Sequence, residues 1–343
     1  MKALVLEDYK KLVVQTVDDP QIEPNEVLVQ VKSCGICGSD VHGFDGSSGR
    51  RIPPVIMGHE ASGVIAKTGS AVTRFAEGDR VTFDSMISCG KCFFCRGGQP
   101  NLCDDRRVLG VSCDEYRRHG AFAEYVAVPE HIVYGIPEGL SFDFAAMVEP
   151  VSVAVHAVNL SPVKLGDTAL VVGAGMIGLL TLQALRSAGC GKIMIADLAD
   201  DRLELALTMG ADEAFNPKTT DVPAALRERT DGRGADIVVE AVGANPTVKM
   251  SIDSVRKGGA VTLIGNVTPT VELGLQSVVT REIAVLGSCA SANDYPACLE
   301  LMNRGAINVE PMISQRAGLE QGAEMFDRLY AHEAGLTKVI LNP

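Results

Sequence analysis

Along the first 150 positions, apolar residues come in short bursts broken by Gly and Pro. Val27-Leu28-Val29-Gln30-Val31, Gly63-Val64-Ile65-Ala66 and Arg80-Val81-Thr82-Phe83 read as strands separated by turn residues. Helical periodicity is weak there, and the pattern predicts a compact, barrel-like β unit. After Pro150 the character changes. Thr168-Ala169-Leu170-Val171-Val172 is apolar without alternation, as a strand buried on both faces should be. A glycine turn and a helical stretch over 179–188 follow, then a second buried strand, Lys192-Ile193-Met194-Ile195-Ala196, and a helix over 202–209. Asp236-Ile237-Val238-Val239-Glu240, Ala260-Val261-Thr262-Leu263-Ile264 and Ile283-Ala284-Val285-Leu286 continue the series. Strands alternating with helices predict an α/β domain with a parallel sheet covered on both faces. The last 50 residues predict helices over 296–303 and 319–331, then the strand Lys338-Val339-Ile340-Leu341.

A length of 343 residues favours two domains over one core, and 46% hydrophobic with 22% charged residues marks a globular chain. The net charge of -12 argues against nucleic acid or an anionic membrane as partner, since both need a basic face. The N-terminal apolar run stops at Glu7-Asp8, and nowhere do apolar residues approach the roughly 20 needed to span a bilayer. A soluble, cytoplasmic protein acting on a small molecule is the expectation.

Val171-Val172-Gly173-Ala174-Gly175-Met176-Ile177-Gly178-Leu179 is a strand, a GxGxxG turn and a helix start. Gly173 permits the tight turn, Gly175 lets backbone approach a pyrophosphate, and Gly178 lets helix and strand pack closely. The phosphates would sit at the helix N-terminus, over Gly175, Met176 and Ile177. The competing reading is a glycine-rich turn in an ordinary α/β protein. Asp197 ends the next strand, 19 residues after Gly178. A carboxylate there accepts from ribose hydroxyls and repels a 2′-phosphate, which favours NAD over NADP. Otherwise Asp197 merely caps the following helix. Arg202 is expected on the adenine side, although a nearby Arg can also accommodate a phosphate.

Four of the ten cysteines, Cys89, Cys92, Cys95 and Cys103, fall within 15 residues. Four thiolates at such spacing suit a closed, structural zinc site, with an iron–sulfur cluster as the rival on spacing alone. Cys34, Cys113, Cys190, Cys289 and Cys298 read as packing residues. Thiol, imidazole and carboxylate also gather in Cys37-Gly38-Ser39-Asp40-Val41-His42 and Gly58-His59-Glu60, with a further carboxylate at Glu149 before Pro150. Singly these are modest signals, and a Glu before Pro often just ends an element.

Taken together, these motifs resemble the zinc-containing medium-chain dehydrogenase/reductase family over essentially the whole chain. Gly58-His59-Glu60-x2-Gly63 and Gly78-Asp79-Arg80-Val81 look like its zinc-alcohol-dehydrogenase signature. Cys34-Gly35-Ile36-Cys37-Gly38-Ser39-Asp40-Val41-His42 and Glu149-Pro150-Val151-Ser152-Val153-Ala154-Val155-His156-Ala157 are most similar to the sorbitol (L-iditol), xylitol and galactitol-phosphate dehydrogenase branch. The resemblance implies a GroES-like, β-rich catalytic domain from residues 1–153 and 290–343, with a Rossmann NAD-binding domain of 154–289 inserted. It implies a catalytic zinc held by Cys37 and His59, with Glu60 and Glu149 supplying oxygen ligands directly or through water. With the thiolate site, that makes two zinc ions per subunit. Simple alcohol dehydrogenases carry a second cysteine where this chain has Glu149, which points to the polyol branch. Animal sorbitol dehydrogenases carry a substrate-contacting arginine where this chain has Gly287-Ser288-Cys289-Ala290-Ser291-Ala292, which speaks against sorbitol itself. Arg50 and Arg51 are read either as flanking a cleft mouth, where they would favour a phosphorylated polyol, or as solvated loop charges.

In that frame zinc lowers the pKa of a secondary hydroxyl, and hydride passes to the nicotinamide. Ser39 takes the alcohol proton, and the resemblance implies a relay through the cofactor ribose to His42. Asp40 is placed as the partner that orients a zinc ligand. A dehydrogenase for L-threonine or a short diol, or a nucleotide sensor on the same fold, are the alternatives. The branch implies a homotetramer.

Overall fold

The computed structural model describes residues 1–113 and 117–343. Its residues separate into two compact units, Met1–Glu149 with Tyr295–Pro343, and Pro150–Asp294.

In the second unit, the strand Thr168–Val172 lies between Lys192–Ala196 and Ala235–Glu240. Ala169 to Val172 are all buried, so the unbroken apolar run reflects coverage on both faces. Six strands pair in parallel among the described residues. Numbered by sequence within this sheet they run 3-2-1-4-5-6, beginning at Glu213–Phe215 and ending at Ala284–Gly287. This is the doubly wound order of a Rossmann domain, whose ligands bind where the order reverses, beside the first strand. Leu170, Met194, Val238 and Val261 form its core with Leu226 and Ile252 from flanking helices.

The helix Asn245–Ser254 was not apparent from the pattern, because only Val248, Ser251, Ile252 and Ser254 of its ten residues are buried. The 319–331 stretch is a 3-10 turn, Leu319–Gln321, followed by the helix Gly322–Tyr330. Pro150 does not end an element. It falls in the first turn of the helix Val148–Leu160, where a missing N–H costs nothing because first-turn N–H groups have no helical partner.

In the first unit, the long strand Glu26–Gly35 pairs antiparallel with Glu60–Thr68, Tyr125–Pro129 and Lys338–Asn342. The last strand of the chain therefore lies beside one of the first. The register sets Gly35 opposite both Glu60 and Ile340, which gathers Glu60, the end of Glu26–Gly35 and Lys338 at one place in the sheet. A Cβ at Gly35 would sit 2.2 Å from Glu60 Oε2, so the strand needs glycine there for the carboxylate to lie across it. Phe83, Phe122, Phe326, Leu4 and Ile65 fill the core beneath.

Candidate metal centres and dinucleotide turn

The strand Glu26–Gly35 runs into Cys37, which is the N-cap of the short helix Gly38–Phe44. Cys37 Sγ accepts from the Ser39 backbone N–H at 3.5 Å, and Asp40 Oδ2 accepts from the Cys37 N–H at 3.4 Å. This reciprocal cap holds thiol and carboxylate together in the first turn of one helix. His59 is buried immediately before the strand Glu60–Thr68. One ligand atom from each of Cys37, His59 and Glu60 lies within 4.8 Å of the others. A thiol, an imidazole and a carboxylate converging at that separation fit a zinc ion with an open position.

Around this trio the structure adds partners. Ser39 Oγ is 3.3 Å from Cys37 Sγ and 3.5 Å from His59 Nε2. Asp40 Oδ1 lies 3.4 Å from His59 Nδ1, on the opposite edge of the ring. Burial alone would raise the Asp40 carboxyl, but the charges of His59 and Arg51 outweigh it and hold the group well below its ordinary range. Glu60 accepts from the buried Lys338 Nζ at 2.9 and 2.6 Å, and the same ammonium donates to Ile36 O at 3.1 Å. Burial works against the Lys338 charge, and Glu60 and Cys37 more than restore it. Glu149 Oε1 accepts from Ser85 Oγ at 3.3 Å. Burial raises the Glu149 carboxyl against the opposing charge of His59, so the group lies within electrostatic reach of the mixed site without belonging to the close trio.

Cys89, Cys92, Cys95 and Cys103 place their sulfurs within 4.8 Å of one another. Backbone N–H groups of Cys89 and Asp105 donate to Cys103 Sγ at 3.2 and 3.4 Å, and that of Cys95 donates to Cys92 Sγ at 3.5 Å. N–H donors from Cys95 and Asp104 bring the Cys92 thiol down to about 6, whereas burial beside the other sulfurs pushes Cys95 up to about 12. The donor set fits a closed tetrahedral zinc.

The GxGxxG turn leaves Thr168–Val172 and opens the helix Met176–Ser187. Gly173 has φ +100°, and a Cβ on Gly178 would meet Gly173 O at 1.8 Å, so both positions require glycine. Gly175 is the N-cap and no side chain caps the helix, which leaves the first N–H groups free of a side-chain partner. A Cβ on Gly175 would meet nothing within 4 Å, so the space over the turn is open. Asp197 does not cap the next helix, whose N-cap is Ala199. Its Oδ2 accepts from Ala174 N at 2.7 Å and its Oδ1 from Ala199 N at 3.0 Å. The carboxylate is thereby tied to the turn that would carry the phosphates. Arg202 Nη1 stands 4.0 Å from Asp197 Oδ2.

Residues 23–138 match the model of the alcohol dehydrogenase GroES-like domain, and residues 177–304 match that of the zinc-binding dehydrogenases. The chain belongs to the zinc-binding alcohol dehydrogenase family. It is an oxidoreductase acting on CH–OH donors, and zinc and a nicotinamide cofactor go with that membership. This dehydrogenase is 33% identical to the sorbitol dehydrogenase of Bacillus subtilis over 100% of its own length and 97% of the relative's. It is 36% identical to the D-arabitol-phosphate dehydrogenase of Enterococcus avium over 90% and 88%. A zinc-binding dehydrogenase of Sinorhizobium meliloti solved with NADP superposes with a TM-score of 0.92 at 36% identity, covering 100% and 99% of the two chains. These relatives put the dehydrogenase in the polyol branch, with a GroES-like and a Rossmann domain.

Two residues differ from the sequence reading. Arg51 neither flanks a mouth nor faces solvent: it is 4% exposed and its Nη2 donates to Asp40 Oδ1 at 2.9 Å. Polarity alone placed it outside, and only the buried Asp40 opposite makes its burial affordable. Arg50 is exposed. Lys338 opens a strand that is otherwise apolar, and that pattern gives no sign of the buried ion pair it forms with Glu60. Ser39 and His42 are both exposed on the motif helix, three residues apart and so on one face.

Proposed function

We propose that this dehydrogenase is an NAD-linked enzyme with a zinc in each of its two sites, oxidising a secondary hydroxyl of a polyol or of its monophosphate ester. The observation that carries the reading is the convergence of Cys37, His59 and Glu60 beside the hydroxyl of Ser39. Cys37 and His59 would hold the catalytic zinc, with Glu60 and Glu149 as its carboxylates. Bound there, zinc would supply Lewis-acid polarisation of the substrate hydroxyl, and the nicotinamide would supply the hydride acceptor. Ser39 Oγ accepts the substrate's hydroxyl proton as it gives up its own, and His42, exposed on the same helix face, carries the released proton to solvent. Asp40 holds His59 by its Nδ1 edge. Carboxylates in place of a second thiolate make the zinc harder and favour oxygen donors such as vicinal hydroxyls, of which a polyol offers more than a simple alcohol. Cys89, Cys92, Cys95 and Cys103 would hold the structural zinc, a role that requires reduced thiols and so supports a cytoplasmic enzyme.

The choice of NAD rests on Asp197, whose carboxylate is fixed against the turn and would repel a 2′-phosphate. The specific case for NADP is Arg202 beside it and the NADP-bound Sinorhizobium relative. The wild type is expected to favour NAD in kcat/KM by at least about tenfold, the effect of one close charge contact near 1.4 kcal/mol. Asp197→Ser should bring the ratio close to one. Equal use of the two cofactors by the wild type would give control of the pocket to Arg202.

The homo-oligomer expected of the branch has support in the second unit. Its sheet ends on the strand Ala284–Gly287, which is at most half-buried, with Val267, Leu275 and Val279 exposed nearby in sequence. An open strand edge with apolar neighbours suits pairing with a second copy. Sedimentation equilibrium reads the assembly directly, and a monomer at micromolar concentration would refute it.

A further inference from the structure

Arg51 lies in the loop between the two segments that supply Cys37 and His59, yet it is as buried as the core around it. A guanidinium in that position is costly unless fully engaged, so its partners indicate what it is for. One nitrogen serves two of them: Nη2 donates to Asp40 Oδ1 at 2.9 Å and to Ser39 Oγ at 3.2 Å. The same Asp40 oxygen faces His59 Nδ1 at 3.4 Å, and the other oxygen closes the cap on Cys37 N. The fold makes room for this reach. A Cβ at Gly43 would fall 2.7 Å from Arg51 Cγ and 2.8 Å from its Cδ, so the arginine stem crosses the motif helix only because residue 43 is glycine. Arg51 Nε is buried without a hydrogen-bond partner, and His59 Nδ1 approaches Asp40 Oδ1 at 3.4 Å as a close polar contact and not as a well-aligned hydrogen bond.

We propose that Arg51 is a positioning residue for the reaction described above: its Nη2 group fixes Ser39 Oγ directly and the His59 ring through Asp40, so that one guanidinium sets both the proton acceptor and a metal ligand. The proposal rests on the reading of Ser39 and His59 given under Proposed function. With Arg51 donating to one lone pair, the Ser39 hydroxyl has its rotamer held and its other lone pair available to a substrate proton. With Arg51 opposite, Asp40 stays put behind His59, and the imidazole keeps the edge facing Cys37 for the metal. A lysine can neutralise Asp40 as a point charge, but its flexible stem and freely rotating ammonium do not hold one nitrogen against both acceptors as the planar guanidinium does.

Two variants of the zinc-loaded enzyme separate these roles, with metal loss to a chelating dye, kcat and KM as readouts. Arg51→Met is expected to lower kcat by about tenfold to a hundredfold, the handicap typical of removing a partner behind a metal ligand, with KM nearly unchanged. It should also release one of the two zinc ions about tenfold faster while the thiolate-bound ion stays. Arg51→Lys should return zinc release to the wild-type rate while kcat remains depressed. Wild-type kcat and release rate in Arg51→Met would overturn the proposal, and full kcat in Arg51→Lys would overturn the part that concerns Ser39. If Arg51→Met does not fold, Arg51→Lys alone decides, since its kcat and zinc release are read independently. If the wild type oxidises no alcohol, the functional reading falls, and the release rates still test whether Arg51 secures His59.

Discussion

His59→Ala is expected to lower kcat for alcohol oxidation by about three orders of magnitude while the chain stays folded and keeps one zinc. The imidazole supplies one of the two strong donors of the mixed site, with its Nε2 near Ser39 and its Nδ1 backed by Asp40. Lewis-acid polarisation contributes several kcal/mol to such reactions, and each 1.36 kcal/mol is a factor of ten in rate, which gives the size of the effect. The fold should survive, because His59 is replaced by a smaller residue beside a core built from other side chains, and the thiolate site uses none of its atoms. Glu149→Ala provides the contrast. Its carboxylate stands outside the close trio, so the loss should be about tenfold to a hundredfold, with both zinc ions retained. Elemental analysis and steady-state kinetics on the same preparations check both. Activity of His59→Ala within tenfold of wild type would remove the mixed site from the chemistry.

Cys92→Ser acts on stability. Between Ser88 and Asp104 only Asn101 and Cys103 are buried, while Phe93 is 81% exposed. Apolar burial therefore cannot hold this lobe in place, and the short helix Phe93–Arg96 is too brief to persist alone. A metal drawn in by four sulfurs can, since in such a site binding energy is folding energy. Replacing one thiolate by a hydroxyl opens the closed site and should empty it. The lobe then opens locally without global unfolding, and cleavage follows the open population. Lys91 and Arg96 lie inside the lobe and offer trypsin its sites. The variant should be cut there at least about tenfold faster than wild type, with zinc down to one per chain, on the scale of losing a metal ligand. Wild-type resistance together with full zinc content would show that the four cysteines do not form a metal site.

The readability of this chain followed the physics of each element. Thr168–Val172 and Lys192–Ala196 were legible to the residue, because strands covered on both faces leave continuous apolar runs bounded by turns. The cysteine spacing and the glycine turn were legible because their chemistry depends on short separations within one segment. The helix Asn245–Ser254 was not, because its thin apolar stripe carries little periodic signal. Arg51 and Lys338 escape the sequence pattern for a different reason. A cation is buried only when an anion far away in sequence meets it, and Asp40 and Glu60 do so through tertiary contacts that no local pattern records. The meeting of Cys37, His59 and Glu60 likewise depended on strand register, and the sequence reading reached it through family resemblance alone.

The most direct test is NADH formation by the zinc-loaded enzyme across a panel of ethanol, L-threonine, a short vicinal diol, neutral four- to six-carbon polyols and their monophosphates, each compared by kcat/KM. The account predicts that a polyol or polyol monophosphate leads ethanol by at least about a hundredfold, which at 1.36 kcal/mol per decade asks for less than 3 kcal/mol from the extra hydroxyl contacts. Ethanol as the better substrate, or no NADH from any member of the panel, would contradict it.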